Sequence, residues 1–363
     1  MPLSDDRKKV SVYFLVPAPP GISPGQRFRC EHFLPLLAEK GIRYRYSNFY
    51  SPRGWKILYT PGNKLLKAGI VLKGLFKRFI DLFRVSSYSF VYVYREAAPV
   101  GPPVFEWILA KLLRKKIIYD FDDAIWIPAV SEYNRTASWF KSFGKVAKIC
   151  RWSYKVSVGN DYLGDYARKY NPNIVVIPTV VNTDTVHNKL QSHEAVKPAV
   201  GWTGTFSTLP YLEIVLPVLK ELQETNDFTF IVIADKDPQL SLKNYRFIQW
   251  NRETEAEDLL NFHVGLMPLY DDDISRGKCG FKAIQYMSLG IPAVVSPVGV
   301  NSQIVNDGVN GYVCSGFEEW KNKLQLLLTD PATRNRMGEA ARKKIETNYS
   351  VTATEDLFIR LFS

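Results

Sequence analysis

Three carboxylates, Asp120, Asp122 and Asp123, fall within four residues directly after the apolar run Ile117-Ile118-Tyr119. On a basic stretch of chain such a cluster is costly unless a cation or a proton partner faces it. The Asp-x-Asp spacing is one that can hold a divalent metal on a sugar diphosphate. The bare pattern is common by chance, however, and no second ligand accompanies it, so the favoured reading is acceptor binding or helix capping with no metal. Two arginines, Arg27 and Arg29, end a Pro/Gly-rich loop that follows the apolar run Val10–Val16. At the start of a helix their guanidinium groups suit a phosphate or a carboxylate. Arg95 and Glu96 follow Val91-Tyr-Val-Tyr94 as an ion pair at a strand end, before a Pro-rich backbone too rigid for helix. Arg27, Arg29, Arg95 and Asp123 are the expected acceptor-binding residues.

The second half offers anion chemistry. An apolar run ending at Trp202 leads into Thr203-Gly204-Thr205-Phe206-Ser207-Thr208-Leu209-Pro210. Small residues let the backbone approach a ligand, Ser207 or Thr208 caps a helix, and Pro210 suits its first turn, leaving N–H groups aimed at a phosphate. An ordinary well-capped helix would have the same composition. A second such stretch runs from Ser275 through Arg276, Lys278, Gly280, Phe281, Lys282 and Gln285 to Gly290-Ile-Pro292. Here a Gly-rich basic loop opens an amphipathic helix that Gly290 terminates. Arg276 and Lys278 would meet a diphosphate where the helix dipole also favours negative charge. Gly204, Thr205, Ser207, Thr208, Arg276, Lys278, Gly280, Phe281, Lys282 and Gln285 are the expected donor-binding residues.

These residues need strand ends and helix starts to hold them, and the chain supplies both. With 363 residues, 46% hydrophobic and 23% charged, it has room for two cores. Short β-branched runs alternate with amphipathic stretches, the pattern of βαβ units and parallel sheets. Strands are expected at 10–16, 44–48, 90–95, 116–120, 154–158 and 174–177. The pattern restarts after the polar stretch 187–197, with strands at 199–202, 228–234, 245–249, 264–267 and 293–296. Helices are expected at 28–39 and 333–346. In open sheets of this kind ligands sit beyond the carboxyl ends of the strands, where the residues above fall.

The polar first ten residues and the short run after them lack the features of an export signal. Cys30, Cys150, Cys279 and Cys314 are far apart and read as reduced thiols. Residues 1–195 hold 30 Lys+Arg against 15 Asp+Glu, and the remainder 17 against 21. The basic half suggests an anionic partner. Within it, 63–84 has the composition of a basic amphipathic helix suited to an anionic membrane surface, through Lys64, Lys67, Lys73, Lys77, Arg78 and Arg84. Burial of one face on a sheet is the alternative. No aromatic-basic module for nucleic acid is evident.

Taken together, these stretches resemble the retaining, family 4 type of GT-B glycosyltransferase. The resemblance is carried by Lys278-Cys-Gly-Phe-Lys-Ala-Ile-Gln-Tyr-Met-Ser-Leu-Gly-Ile-Pro-Ala-Val-Val295 and by Gln303-Ile-Val-Asn-Asp307-Gly-Val-Asn-Gly311. Gly265-Leu-Met-Pro268 and Ile177-Pro178 with Asn182 support it. It implies an α/β GT-B fold of two Rossmann-like doubly wound domains facing a central cleft. The expected divisions are 1–190 for the acceptor domain, 191–346 for the donor domain, and 347–363 for a segment packing back towards the first. It also implies transfer of a sugar, with retained configuration, from a nucleotide diphosphate to a glycan or lipid-linked acceptor. No metal and no cofactor beyond the nucleotide sugar are implied, and the setting is cytoplasmic, at the inner face of the membrane and in envelope polysaccharide synthesis. The chain departs from the family at Gly277 and Gln285, where two glutamates are usual, in the absence of a base from 203–208, and in lacking the family's front-domain histidine. Glu96, Asp120 and Asp122 occupy comparable strand ends and are the expected catalytic residues. A sugar-nucleotide epimerase and a non-catalytic nucleotide-sugar-binding protein of the same fold are the rival readings.

Overall fold

Runs of β-branched and aromatic residues become parallel strands in the computed structural model, which describes residues 10–58, 60, 62–128, 142–194 and 197–363. Residues 1–9, part of the stretch on which the export reading rests, lie outside them. Two compact units divide the chain, one of residues 1–178 with 355–363 and one of 179–354.

The first unit is built on β1 (Ser11–Val16), β2 (Arg43–Asn48), β3 (Phe90–Tyr94), β4 (Lys116–Phe121), β5 (Lys155–Val158) and β6 (Ile174–Val176). They lie in the order β2-β1-β3-β4-β5-β6, every pair parallel. Every side chain of β1 and β3 is buried, as both faces of a parallel sheet are covered. The order reverses between β1 and β3, so the carboxyl ends of these two strands flank the switch-point crevice. Helices α1 (Pro24–Arg29) and α2 (Leu34–Glu39) replace the single helix expected at 28–39. Pro35 has no N–H to offer the carbonyl of Glu31, and Cys30 leaves the helical region at φ −139°. Helices α3 (Pro52–Leu58), α4 (Lys64–Arg84) and α5 (Val104–Trp107) follow β2 and β3. At the C-terminus, Phe358 stacks on Phe33 at 4.0 Å and Lys155 Nζ donates to the Arg360 carbonyl at 2.5 Å.

Helix α4 forms as expected, but two of its basic residues turn inwards. Arg78 is fully buried and donates to the carbonyls of Ala97 and Val16, both at 2.7 Å, and to Asp81 at 2.9 Å. Asp81 also accepts from Tyr13 at 2.6 Å and Ser47 at 2.7 Å. Burial and the hydrogen bond to Asp81 push the Tyr13 phenol up to about 12. Lys77 is half-buried and donates to the Asn48 carbonyl at 2.6 Å. The expectation that Lys77 and Arg78 face a membrane is therefore corrected: a guanidinium that satisfies buried carbonyls at the ends of β1 and β3 cannot also reach a surface.

The second unit repeats the plan with β7 (Ala199–Gly204), β8 (Thr229–Ala234), β9 (Tyr245–Gln249), β10 (Val264–Met267), β11 (Ala293–Val295) and β12 (Gly311–Val313). Their order is β12-β11-β10-β7-β8-β9, again parallel throughout. Helices α6 (Leu216–Thr225) and α8 (Phe317–Thr329) cover one core with Trp202, Phe230, Val232, Leu266 and Trp320. Helices α7 (Phe281–Ser288) and α9 (Pro331–Asn348) complete it. Asp330 caps α9 by accepting from the Thr333 N–H at 3.0 Å, with Pro331 in its first turn. From α9, Arg342 reaches the carbonyls of Thr183, His187 and Ser288, which fastens the segment after Pro178 to this unit. The Asp307–Gly311 motif is a turn leading into β12: Gly308 donates to the Gly311 carbonyl at 2.9 Å, and Asp307 accepts from the Val313 N–H at 2.9 Å. Cys30, Cys150, Cys279 and Cys314 are buried and free. Among the described residues no helix is long and apolar enough to cross a membrane, and no three His, Cys, Asp or Glu side chains group as metal ligands would.

Candidate functional site

In the first unit the β3 strand ends at Arg95, a non-glycine residue in the left-handed region at φ 59°. Its N–H extends the ladder to the Asp120 carbonyl at 2.7 Å. The side chain then crosses to the loop after β4. Nε and Nη2 donate to Asp122 at 2.9 and 2.7 Å, and Nη2 also to Asp123 at 2.7 Å. Tyr94 donates its hydroxyl to the same Asp122 oxygen at 2.9 Å. The other Asp122 oxygen lies against α1, where a Cβ on Gly25 would come within 2.7 Å of it. Burial works against charge on Asp122, but the opposing charges of Arg95 and Arg29, with hydrogen bonds from Arg95 and Tyr94, outweigh it and hold its pKa below the ordinary Asp value. Arg95 and Asp123 remain partly exposed, a fork of donors beside an acceptor that suits hydroxyl groups.

The expected ion pair between Arg95 and Glu96 does not form. Glu96 instead meets Lys145 at 2.5 Å. Arg29 and Asp120 are also placed otherwise than expected. Arg29 binds both oxygens of Asp120, at 3.1 and 2.5 Å, and reaches Ser157 at 3.2 Å and the Ile177 carbonyl. Both side chains are sealed from solvent, so this pair ties α1 to β4, β5 and the end of β6, and neither residue presents a free edge to a substrate. The Asp-x-Asp spacing fails to converge for the same reason, since Asp120 and Asp122 are neutralised by separate guanidinium groups. Arg27 is buried beside Phe28, its guanidinium carbon 4.9 Å from that ring.

In the second unit the switch point lies between β7 and β10, which pair only at Val200–Val264 and Gly201–Gly265 before separating. Tyr286 of α7 fills the gap. Its hydroxyl accepts from the Thr203 N–H at 3.0 Å and donates to the Leu266 carbonyl at 3.3 Å. A side chain at Gly265 would lie 2.2 Å from the Tyr286 ring, so the ring requires glycine there. After β7 the chain forms a 3-10 helix over Phe206–Ile214, not the α-helix expected from Ser207, and Pro210 sits inside it. Proline cannot donate an i→i−4 bond, which delays regular helix to Leu216. Thr205 precedes the first turn and donates its N–H to the Thr208 hydroxyl at 3.1 Å, its own hydroxyl 2.9 Å from that of Ser207. Phe206 donates its N–H to Asp235 at 2.6 Å.

The second expected stretch converges on this loop. Gly280 begins α7 at φ 67°, and a Cβ there would strike Ile304 at 2.0 Å, so only glycine fits. Lys282, in the first turn, holds its ammonium 5.6 Å from the centre of the Trp202 ring on β7. Lys278 lies 5.8 Å from the ring of Tyr211, whose hydroxyl is 3.1 Å from that of Ser275. Two lysines and the start of α7 thus lie beside the Gly204–Thr208 loop. Arg276 is partly diverted, binding Asp271 at 2.7 Å and approaching Asp273 at 3.5 Å, with 46% of its side chain exposed. Gln285 is buried on α7, and Phe281 is half-buried at its first turn. Tyr286, Tyr211 and Asp235 were not anticipated. The glycine inside β10 is the sequence signal that marked the close approach of the first.

Residues 204–344 match the family of glycosyl transferases group 1. Over 80 residues, 22% of the chain, it is 35% identical to D-inositol 3-phosphate glycosyltransferase of Arthrobacter sp. (strain FB24). In each of the two curated relatives matched, the aligned stretch takes in 18% of the relative's length. Sucrose-phosphate synthase from Thermosynechococcus elongatus superposes with a TM-score of 0.69 at 16% identity, covering 98% of this chain and 99% of that one. Anabaena HepE in complex with UDP and glucose gives 0.66 at 15% identity, covering 97% and 99%. The fold is GT-B.

Proposed function

We propose that this chain, a GT-B protein whose residues 204–344 match the group 1 glycosyl transferases, moves a hexosyl group from a nucleoside-diphosphate sugar to a hydroxyl of a glycan or lipid-linked acceptor. The observation that carries the proposal is the convergence of Lys278, Lys282 and the start of α7 on the Gly204–Thr208 loop at the second switch point. Backbone N–H groups and two ammonium groups at one place suit a diphosphate. As the sugar–phosphate bond breaks, the departing diphosphate gains negative charge, and these groups stabilise it with no metal required. The new bond forms between the anomeric carbon and the acceptor oxygen on the same face, with retention, and the hydroxyl proton passes to the departing diphosphate.

The acceptor falls to the first unit. Arg95 and Asp123 offer the exposed donor and acceptor edges, and Asp122 holds Arg95 in place. Glu96, held by Lys145, is the remaining carboxylate at that strand end for contact with the reacting hydroxyl. Arg29 and Asp120 act through the fold, as positioning residues. The Anabaena protein solved with UDP and glucose supports a uridine nucleotide as the first donor to try. A cytoplasmic role at the inner membrane face, in envelope polysaccharide synthesis, is the setting this reading favours.

A panel of UDP-, GDP-, ADP- and dTDP-sugars tests it by thermal stabilisation. A ligand at 100 times its Kd stabilises by about 2.7 kcal/mol, which is several degrees in melting temperature. One nucleotide class should stabilise, and nucleotide release should then depend on added glycan. Stabilisation with acceptor-independent turnover would point to an epimerase, and stabilisation without turnover to a binding protein. No stabilisation by any of the four removes the proposal.

A further inference from the structure

Helix α4 buries one face through Gly74, Arg78 and Asp81 and turns the opposite face outwards. That outer face is apolar. Leu65, Leu72, Phe76, Phe79 and Phe83 are 91%, 65%, 65%, 54% and 68% exposed. Their spacings of seven, four, three and four residues place all five on one line along a 21-residue helix. The phenylalanines need no such exposure to hold the fold, because the inner face already fixes the helix through the Arg78 hydrogen bonds. A run of apolar side chains this long, left in water, marks an interaction surface.

The charges around the stripe identify its partner. On α3, α4 and the segment from α5 to Lys116, the exposed ionisable side chains are Arg53, Lys56, Lys64, Lys73, Arg84, Lys111, Arg114 and Lys116, all of them basic. The two carboxylates in these segments, Asp81 and Glu106, are buried, the first on Arg78 and the second accepting the Ala97 N–H at 2.8 Å. α3 lies against α4, where a Cβ on Gly54 would meet Ile70 at 3.0 Å. Lys115 ties the turn after α5 to the end of α4 through the Ser86 and Tyr88 carbonyls, at 2.8 and 2.9 Å. α5 and that turn add exposed Trp107, Leu112 and Leu113. Exposed aromatics and leucines among cations, with no exposed anion, match the interface of an anionic bilayer, where rings enter the acyl boundary and cations meet the headgroups.

We infer that α4 lies in the surface of an anionic membrane on its Leu65–Leu72–Phe76–Phe79–Phe83 face, with Lys73, Arg84 and Arg114 on the headgroups. The inference deepens the proposed function by naming the surface from which a lipid-linked acceptor is drawn. Lys77 and Arg78 take no part in it. Arg78 instead connects the inserted helix to the Val16 and Ala97 carbonyls, where the two loops flanking the first switch point begin.

The test is cosedimentation of the full chain with vesicles of phosphatidylcholine alone or with phosphatidylglycerol. The wild type should bind the phosphatidylglycerol vesicles and lose that binding as salt rises. Phe76→Ser/Phe79→Ser/Phe83→Ser should weaken partitioning by about 100-fold or more, given the apolar area removed. Lys73→Glu/Arg84→Glu/Arg114→Glu should abolish the preference for phosphatidylglycerol. Both variants should keep the wild-type melting temperature and, measured without vesicles, its nucleotide-sugar binding, so a failed donor proposal leaves this result readable. Equal partitioning of the triple serine variant and the wild type overturns the inference. So does a wild type that ignores vesicles but sediments as a dimer that the serine variant dissociates, which would assign the stripe to a second copy of the chain.

Discussion

Replacing Arg29 by methionine separates a positioning role from a substrate-binding one. The guanidinium fills both oxygens of Asp120, at 3.1 and 2.5 Å, in a site closed to water. Methionine keeps much of the volume and leaves the Asp120 carboxylate buried and unpaired. Breaking a buried pair from one side costs about 3–5 kcal/mol. In a unit of this size each kcal/mol moves the melting temperature by about 2–4 °C, so the variant should melt roughly 6–20 °C below the wild type. Arg29→Met/Asp120→Leu removes both charges and should recover at least half of that loss, because the buried charge, not the lost attraction, sets most of the cost. Circular dichroism melts of the wild type and both variants decide it. A single variant melting within about 2 °C of the wild type would refute the reasoning, as would a double variant no more stable than the single.

Three further outcomes follow from the same geometry. Lys278→Ala/Lys282→Ala should weaken binding of the stabilising nucleotide by roughly 10- to 100-fold in calorimetry, since each charge-assisted contact contributes about 1.5–3 kcal/mol and the two partly compensate. Gly280→Ala should lower both stability and nucleotide affinity, because φ 67° disfavours a side chain and Ile304 occupies its space; an unchanged melt and Kd would contradict that. Burial, with the charges of Arg334 and His193, lowers the His263 pKa to about 4 while its Nδ1 accepts the Ala199 N–H at 3.0 Å. The unfolded ring takes up its proton near 6.5, so the stability His263 contributes above that pH is lost as pH falls towards 4. Melts of His263→Gln should be flatter across this window than those of the wild type.

The sheets were legible because parallel strands buried on both faces are written as short apolar runs, and all eleven expected strands end within two residues of the observed positions. β12 was missed because Gly311-Tyr-Val313 is too short to stand out from the turn before it. The helix at 28–39 was misjudged because the apolar spacing continues through Pro35, whose missing N–H breaks the backbone and not the pattern. The glycine-led start of α7 was legible because Gly280, Lys282 and their neighbours are local in sequence. The pairing of charges was not. Arg29 finds Asp120 across 91 residues and Arg78 finds Val16 across 62, and nothing in either local stretch records which partner the topology supplies. For the same reason the amphipathic character of 63–84 was visible while its orientation was not, since two of its cations are consumed by carbonyls that only the folded sheet brings within reach.

The proposed binding of two linked phosphoryl groups beside Lys278 and Lys282 is tested most directly by calorimetric titration of the full chain with a nucleoside diphosphate and with the matching monophosphate. The diphosphate should bind at least about tenfold more tightly, with the advantage lost in Lys278→Ala/Lys282→Ala. Equal affinity for the two nucleotides, or an advantage that survives removal of both lysines, would contradict it.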